Sequence, residues 1–274
     1  MIAAGGLVWV TGVDGGVAAY EPRTGERVAT VPIDGDMCGA PDAGFGSLWI
    51  PTGGPAAIHR VALGSRTLVA SIAVALPAEG EFTIGAGERG VWAIVHRPDG
   101  ARRLARLDPG TERIGDLFDV AAGAVSVRVG HGSVWMACPG DDEVRRVDPA
   151  TGAVIRAFTT GRRPRFLVVG PEGVWVVNQL SGSVTHIDPV SDEVVATISV
   201  DDGPLRGGDV ALGAGSVWVR GTSEMVTRID PESHAVVARY GAPTAGSASV
   251  AVLDGQLWIS SGAEATLSRI DLAS

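Results

Sequence analysis

Seven tryptophans, at Trp9, Trp49, Trp92, Trp135, Trp175, Trp218 and Trp258, are spaced 40, 43, 43, 40, 43 and 40 residues apart in a chain of 274 residues. Each sits in Gly-x-(Val/Leu)-Trp-(hydrophobic) or a close variant, as in Gly132-Ser133-Val134-Trp135-Met136 and Gly215-Ser216-Val217-Trp218-Val219. A tryptophan-anchored period of about 40–45 residues is that of a propeller blade. The spacing therefore predicts an all-β chain forming one domain over residues 1–274, a seven-bladed β-propeller of four-stranded blades. The sixth copy shows the expected strands: Asp209 to Leu212 innermost, then Ser216 to Val219, Met225 to Ile229, and Ala235 to Arg239 at the outer edge. Apolar residues alternate or run briefly between breaks rich in Gly, Pro and Asp, and no stretch holds a helical period over three turns. The 39 glycines suit a chain of many tight turns.

Two further features repeat, and for them as for the tryptophans repetition argues for scaffold rather than site. The turn between the third and fourth strands reads Asp148-Pro149-Ala150-Thr151-Gly152, with variants at Glu21-Pro22, Asp188-Pro189 and Asp230-Pro231. Here Asp caps its own backbone, Pro presets φ, and Gly supplies positive φ. Near it stands Arg60, Arg106, Arg146, Arg228 or Arg269, replaced by His186 in the fifth copy and Ala19 in the first. These basic side chains are expected to lie over neighbouring strands. The tryptophans are expected to fill the wedge between adjacent blades. The chain starts inside the first innermost strand and ends just past the seventh third strand (Leu267 to Asp271). The last blade is thus expected to lack its outer strand, leaving an edge that could pair with another chain.

The formal net charge of −9 argues against a general nucleic-acid binder and against adsorption to an anionic membrane. All 22 basic residues are Arg, so no lysine can form a Schiff base. Cys38 and Cys138 fall in different repeats, too far apart for a disulfide to be expected. No apolar run approaches about 20 residues, and no signal-peptide pattern opens the sequence. The expectation is a cytoplasmic protein or part of a longer chain.

The pattern Gly-Ser-Val-Trp-Val, a polar loop, then Thr-Arg-Ile-Asp-Pro-x-x-x-x-Val-Val-Ala over residues 215–238 resembles the YVTN-type bacterial β-propeller repeat. It also resembles the repeat of streptogramin B lyase, and the resemblance covers essentially the whole chain. It implies the propeller fold, and either a non-catalytic surface or sensor propeller or a lyase. The lyase family carries Pro-His and Glu-Pro-His before innermost strands of late blades, with magnesium nearby. Here those places hold Arg163-Pro164-Arg165, Arg206-Gly207-Gly208-Asp209 and Gly246-Ser247-Ala248-Ser249, without histidine. A lyase needs a base, and arginine stays protonated. No cofactor is expected, and magnesium only under the lyase reading.

Propellers bind ligands around the channel mouth, on the face of the loops that join fourth to first strands and second to third strands. Residues that break the repeat there are the candidates. The loop into blade five carries Arg162, Arg163 and Arg165, and the loop into blade six carries Arg206 and Asp209. Blade three has a long loop with His96 and Arg97, and Glu81 stands before its first strand. Guanidinium groups suit carboxylate or phosphate oxygens, which points to a small anionic ligand, or a protein or peptide partner, at that face. The alternative is that these arginines pair with Asp201, Asp202, Asp209 and Glu81. Asp42, Glu79, Glu81 and Asp209 lie near innermost-strand starts and could meet in the channel. Of the histidines, His131 and His234 belong to turns on the opposite face, His59 and His186 to third strands, and no two stand at metal-ligand spacing. Three readings stay open: a binding or scaffold module, an enzyme of the lyase or hydrolase type, and a structural propeller without natural ligand.

Overall fold

The computed structural model of the protein describes residues 1–76, 82–97, 100–120, 123–242, 249–262 and 264–272. It is an all-β, seven-bladed propeller. Each blade is an antiparallel meander in sequence order, from the innermost strand at the axis to the outer strand at the rim. Blade six, for example, runs Asp209–Gly213, Ser216–Arg220, Val226–Ile229, Val236–Tyr240, within a residue or two of the sequence expectation. Blade two adds a short strand, Asp36–Met37, against the end of its second strand, Ser47–Gly53. Among the described residues blade seven has three strands, Val250–Leu253, Gln256–Ser261 and Thr266–Asp271. On its open side Leu267 is 36% exposed, whereas the matching Val226 of blade six is fully buried.

The tryptophans lie in the wedges between blades, each at most 3% exposed. Trp92 of blade three packs with Val134, Met136 and Val147 of blade four, and Trp258 of blade seven with Val8 and Val10 of blade one. In the typical blade the indole N–H donates back to the end of its own innermost strand, as Trp49 Nε1 does to Gly44 O and Trp135 Nε1 to Gly130 O, both at 3.1 Å.

The repeated arginine has a sharper role than lying over its neighbours. The guanidiniums of Arg60, Arg146 and Arg228 lie 5.3–5.4 Å from the ring centres of Trp49, Trp135 and Trp218. Their Nε donates to Ser47, Ser133 and Ser216 at 2.8–2.9 Å. The outer nitrogen then crosses to the next blade's turn. Arg60 Nη1 donates to Pro109 O and Glu112, and Arg146 Nη1 to Pro189 O and, at 2.5 Å, Asp192. Arg269 Nη1 donates to Pro22 O (3.3 Å), which also accepts from Trp258 Nε1 (3.2 Å). The ring thus closes from blade seven to blade one by side-chain packing and hydrogen bonds. Arg60 and Arg146 thus each join a cation, an aromatic face and the next blade's carbonyl, an arrangement that suits the planar guanidinium.

Candidate functional site

Innermost strands are the axial edges of their sheets, so they present unpaired N–H and C=O groups to the channel. Small residues such as Ala3, Ala86, Ala211 and Ala251 line the channel and leave it open. The result is an axial cavity of about 440 Å³ lined by all seven blades, reaching the opposite face at Gly170 and Pro171. Its lining side chains are mostly aliphatic, among them Leu167, Val168, Val169, Val210, Val250 and Val252, but the surface they leave exposed is slightly more polar than apolar. That volume falls within the range of small-molecule sites, about 300–1,000 Å³.

Three ionisable side chains interrupt this wall: Asp42 of blade two, Arg128 of blade four and Asp209 of blade six. They stand on alternate blades. The two carboxylates are built alike. Asp42 Oδ1 accepts from its neighbour Ala43 N (2.9 Å) and Oδ2 from Ala86 N of blade three (2.8 Å). Asp209 Oδ1 accepts from Val210 N (2.9 Å) and Oδ2 from Val250 N of blade seven (3.2 Å). Each thereby clips two innermost strands together. Removal from water raises both pKa values above the usual aspartate value, against the pull of Arg128 and the amides on Asp42, and of the Met1 α-ammonium, the amides and Arg128 on Asp209. Arg128 Nη1 donates to Ile84 O and, at 3.5 Å, Val127 O, while Nη2 reaches Pro41 O at 3.4 Å. The Arg128 side chain therefore spans from blade four across blade three to blade two.

Of the described residues expected at the site, Asp209 alone lines the cavity; Asp42, expected in the channel, does so too. Arg162, Arg163 and Arg206 are exposed on the loops into blades five and six. Those loops are tied together by Gln179, whose N–H donates to Arg163 O, whose Nε2 donates to Gly207 O, and whose carbonyl accepts from Leu205 N. The arginine-bearing loops are therefore adjacent. Among the described residues no salt bridge joins Arg162, Arg163 or Arg206 to Asp201 or Asp202. Asp201 instead accepts from the backbone of Thr222 and Ser223. Arg165 is 7% exposed, at a bulge in the innermost strand of blade five. Arg97 is exposed in the blade-three loop, its N–H bonded to Ala101 O. Glu79, Glu81 and residues 246–248 lie outside the described residues.

Arg128 was missed because it reads, in sequence, as one more arginine in a valine-rich strand. The signal was there: the residues paired with the tryptophans are Ile2, Asp42, Gly85, Arg128, Val168, Ala211 and Ala251. Only blades two and four place a charge at that register.

A second departure sits on the opposite face, where His131, His186 and His234 of blades four, five and six line one cleft of about 220 Å³ with Glu172 and Asp188. His186 occupies the arginine position and stacks on Trp175, with ring centres 4.0 Å apart and planes 5° apart. Its Nε2 lies 2.7 Å from Glu172 O and its Nδ1 2.8 Å from His234 Nε2. A carbonyl only accepts, so His186 Nε2 carries hydrogen and Nδ1 accepts from His234. His234 takes the turn position held by Glu112 and Asp192 in the arginine clamps. This is the clamp between blades five and six, rebuilt from two imidazoles. His131 Nε2 bonds Gly170 O at 2.8 Å, the carbonyl that the Trp175 indole would otherwise take, and Trp175 Nε1 is left buried without a partner.

No known protein family and no curated protein matches the sequence. Solved structures do. A functionally unknown protein from Desulfotomaculum acetoxidans DSM 771 superimposes with a TM-score of 0.77 at 13% identity, over 97% of this chain and 92% of its own. The computationally designed Ika8 protein gives a TM-score of 0.66 at 10% identity, over 99% of this chain and 82% of its own. Both likenesses are of fold alone: the chain is a seven-bladed β-propeller.

Proposed function

We propose that the protein is a binding module that holds a small ligand in its axial cavity and performs no reaction on it. The observation that carries this is the cavity itself, a chamber of about 440 Å³ on the axis, lined largely by aliphatic side chains and by the three ionisable side chains Asp42, Arg128 and Asp209. A concave site of this size that combines hydrophobic side chains with a few convergent polar groups is the usual form of a ligand site. Among the described residues the wall offers no serine, threonine, cysteine or histidine side chain, and both aspartates already hold two backbone amides each. A lyase of the streptogramin type needs a base at the ligand. The arginines before blade five cannot supply one, and none of the three cleft histidines lines the cavity, although the two meet at Pro171.

A thermal-shift screen of small molecules tests the reading, with Ala211→Phe as the companion protein because that ring fills the chamber. A ligand at a hundred times its Kd stabilises the fold by about 2.7 kcal/mol, and Ala211→Phe is expected to erase the shift while remaining folded. Hits that shift both proteins equally, or that are turned over, overturn it.

A further inference from the structure

We propose that the open side of blade seven is a docking edge for another protein: an extended segment that adds antiparallel to Thr266–Asp271 as a fourth strand. The segment carries an aliphatic residue opposite Ile270, a small one opposite Arg269 and an aromatic or branched one opposite Leu267. None of these three residues lines the axial cavity, so the edge is a second site, independent of the first.

The other six blades define what a fourth strand brings. Two residues before the repeated basic position, their third strands hold Val17, Ile58, Leu104, Val144, Val184 and Val226, each at most 2% exposed. Opposite these stand Val31, Ile72, Phe118, Phe158, Ile198 and Tyr240. The three rings among them pack on the tryptophan of their own blade, Phe118 on Trp92, Phe158 on Trp135 and Tyr240 on Trp218, with ring centres 5.7–6.0 Å apart. Opposite the repeated position itself alanine stands in four blades, as Ala29, Ala70, Ala196 and Ala238. Across a bulge, the residue facing the next third-strand position in blades two to six is Leu68, Ile114, Val154, Val194 or Val236. The pattern is aliphatic, any, small, any, bulky apolar.

Blade seven presents the same third strand without that cover. Arg269-Ile270-Asp271 repeats Arg228-Ile229-Asp230 of blade six residue for residue, and Leu267 stands where Val226 does, yet is far more exposed. The seam with blade one holds a seat for a ring. At the seam of blades three and four, the turn glycine Gly152 lies so close to the Phe118 ring that a Cβ would overlap it. Gly25 is its counterpart in the blade-one turn, and a Cβ there would meet nothing nearer than Arg269 and Trp258, at 3.8–3.9 Å. Among the described residues the ring beside Trp258 is Tyr20 of blade one, with centres 5.6 Å apart, and its own sheet supplies none. The edge is also undefended. Its register with Gln256–Ser261 runs over six pairs without a bulge, and the strand holds no proline. Such an edge offers a row of backbone hydrogen-bonding groups, which give affinity, while the seats for alternate side chains give specificity. A ring closing over Leu267 and Trp258 adds a large apolar area.

Fluorescence anisotropy with a labelled peptide tests this. The probe is Ala-Val-Val-Ala-Arg-Tyr-Gly, residues 235–241 of this chain, because blade six has the third strand most like that of blade seven. It is expected to bind the intact protein saturably, and a benzophenone in place of the Tyr240 ring to crosslink at Leu267 or Gly25. Tyr240→Ser in the peptide and Leu267→Glu in the protein should each weaken binding at least about tenfold, and methylation of alternate peptide amides should abolish it. Leu267 is already partly exposed, so Leu267→Glu is expected to keep the parent Tm. Ala211→Phe should leave peptide binding unchanged, which separates the edge from the axial cavity. No saturable binding, crosslinking elsewhere, or affinity indifferent to Tyr240→Ser or Leu267→Glu overturns the proposal. A dimer in sedimentation that excludes the peptide and that Leu267→Glu dissociates gives the edge to a second copy of this chain and overturns it too.

Discussion

The imidazole clamp between blades five and six makes this propeller sensitive to mild acid, and the sign follows from its geometry. His186 is 8% exposed. Burial lowers its pKa below the ordinary 6.5; the Glu172 carbonyl pulls upward, His234 pushes down again and Asp188 pulls upward. His131 shares the cleft. A second proton on His186 must go to Nδ1, the atom that accepts from His234, so protonation ends that acceptance and sets a buried cation in the clamp. The unfolded chain takes that proton first, near pH 6.5, and the folded chain only at lower pH. Stability from this group is therefore full above about pH 6.5 and is lost as pH falls toward the depressed folded value. Within that window the slope is at most about 1.4 kcal/mol per pH unit for one proton, or about 2–4 °C in Tm per kcal/mol for domains of 150–250 residues. His59, whose pKa burial also lowers, adds a slope of the same sign, so the control must spare it. The double variant His186→Arg, His234→Asp rebuilds the clamp seen at Arg146 and Asp192. Urea unfolding of both proteins at several pH values between 7.5 and 5 should show a shallower acid loss in the variant. An equal or steeper loss in the variant refutes the assignment.

Two other expectations concern the scaffold. Gly152 has φ +71° and its missing Cβ would lie against the Phe118 ring of blade three, so Gly152→Ala should cost about 1–3 kcal/mol in chemical denaturation; a neutral effect would show that the blade three–four seam is loosely packed. Burial pushes the Cys138 thiol up to about 12. It should stay unreactive to a thiol reagent at pH 8 until the protein unfolds, and labelling of the native protein at Cys138 would contradict its burial.

Much of the architecture was legible because a repeat announces itself seven times. The tryptophan period predicted the blades, the alternation within one copy placed the strands to within a residue or two, and the incomplete seventh copy foretold a three-stranded sheet. The arginine was recognised as scaffold, but its partners were not, since Arg60 and Glu112 are 52 residues apart and belong to different copies. Reading each blade's basic residue against the following blade's turn pairs Arg60 with Glu112, Arg146 with Asp192 and His186 with His234, a register visible in sequence only once the clamp is known.

The candidate site divides the same way. Departures from the repeat pointed to the loops into blades five and six, and the structure does bring those loops together through Gln179. The cavity, however, takes Asp42, Arg128 and Asp209, which are separated by 86 and 81 residues. Local patterning is a property of neighbours along the chain, so hydrophobic alternation, turn chemistry and period determined the blade and its number of copies. Which side chains meet at the axis depends on how seven blades close into a ring and on the register each strand presents there. Only the tertiary structure decides that, because closure brings together edge strands whose unpaired N–H and C=O groups seek partners from other blades.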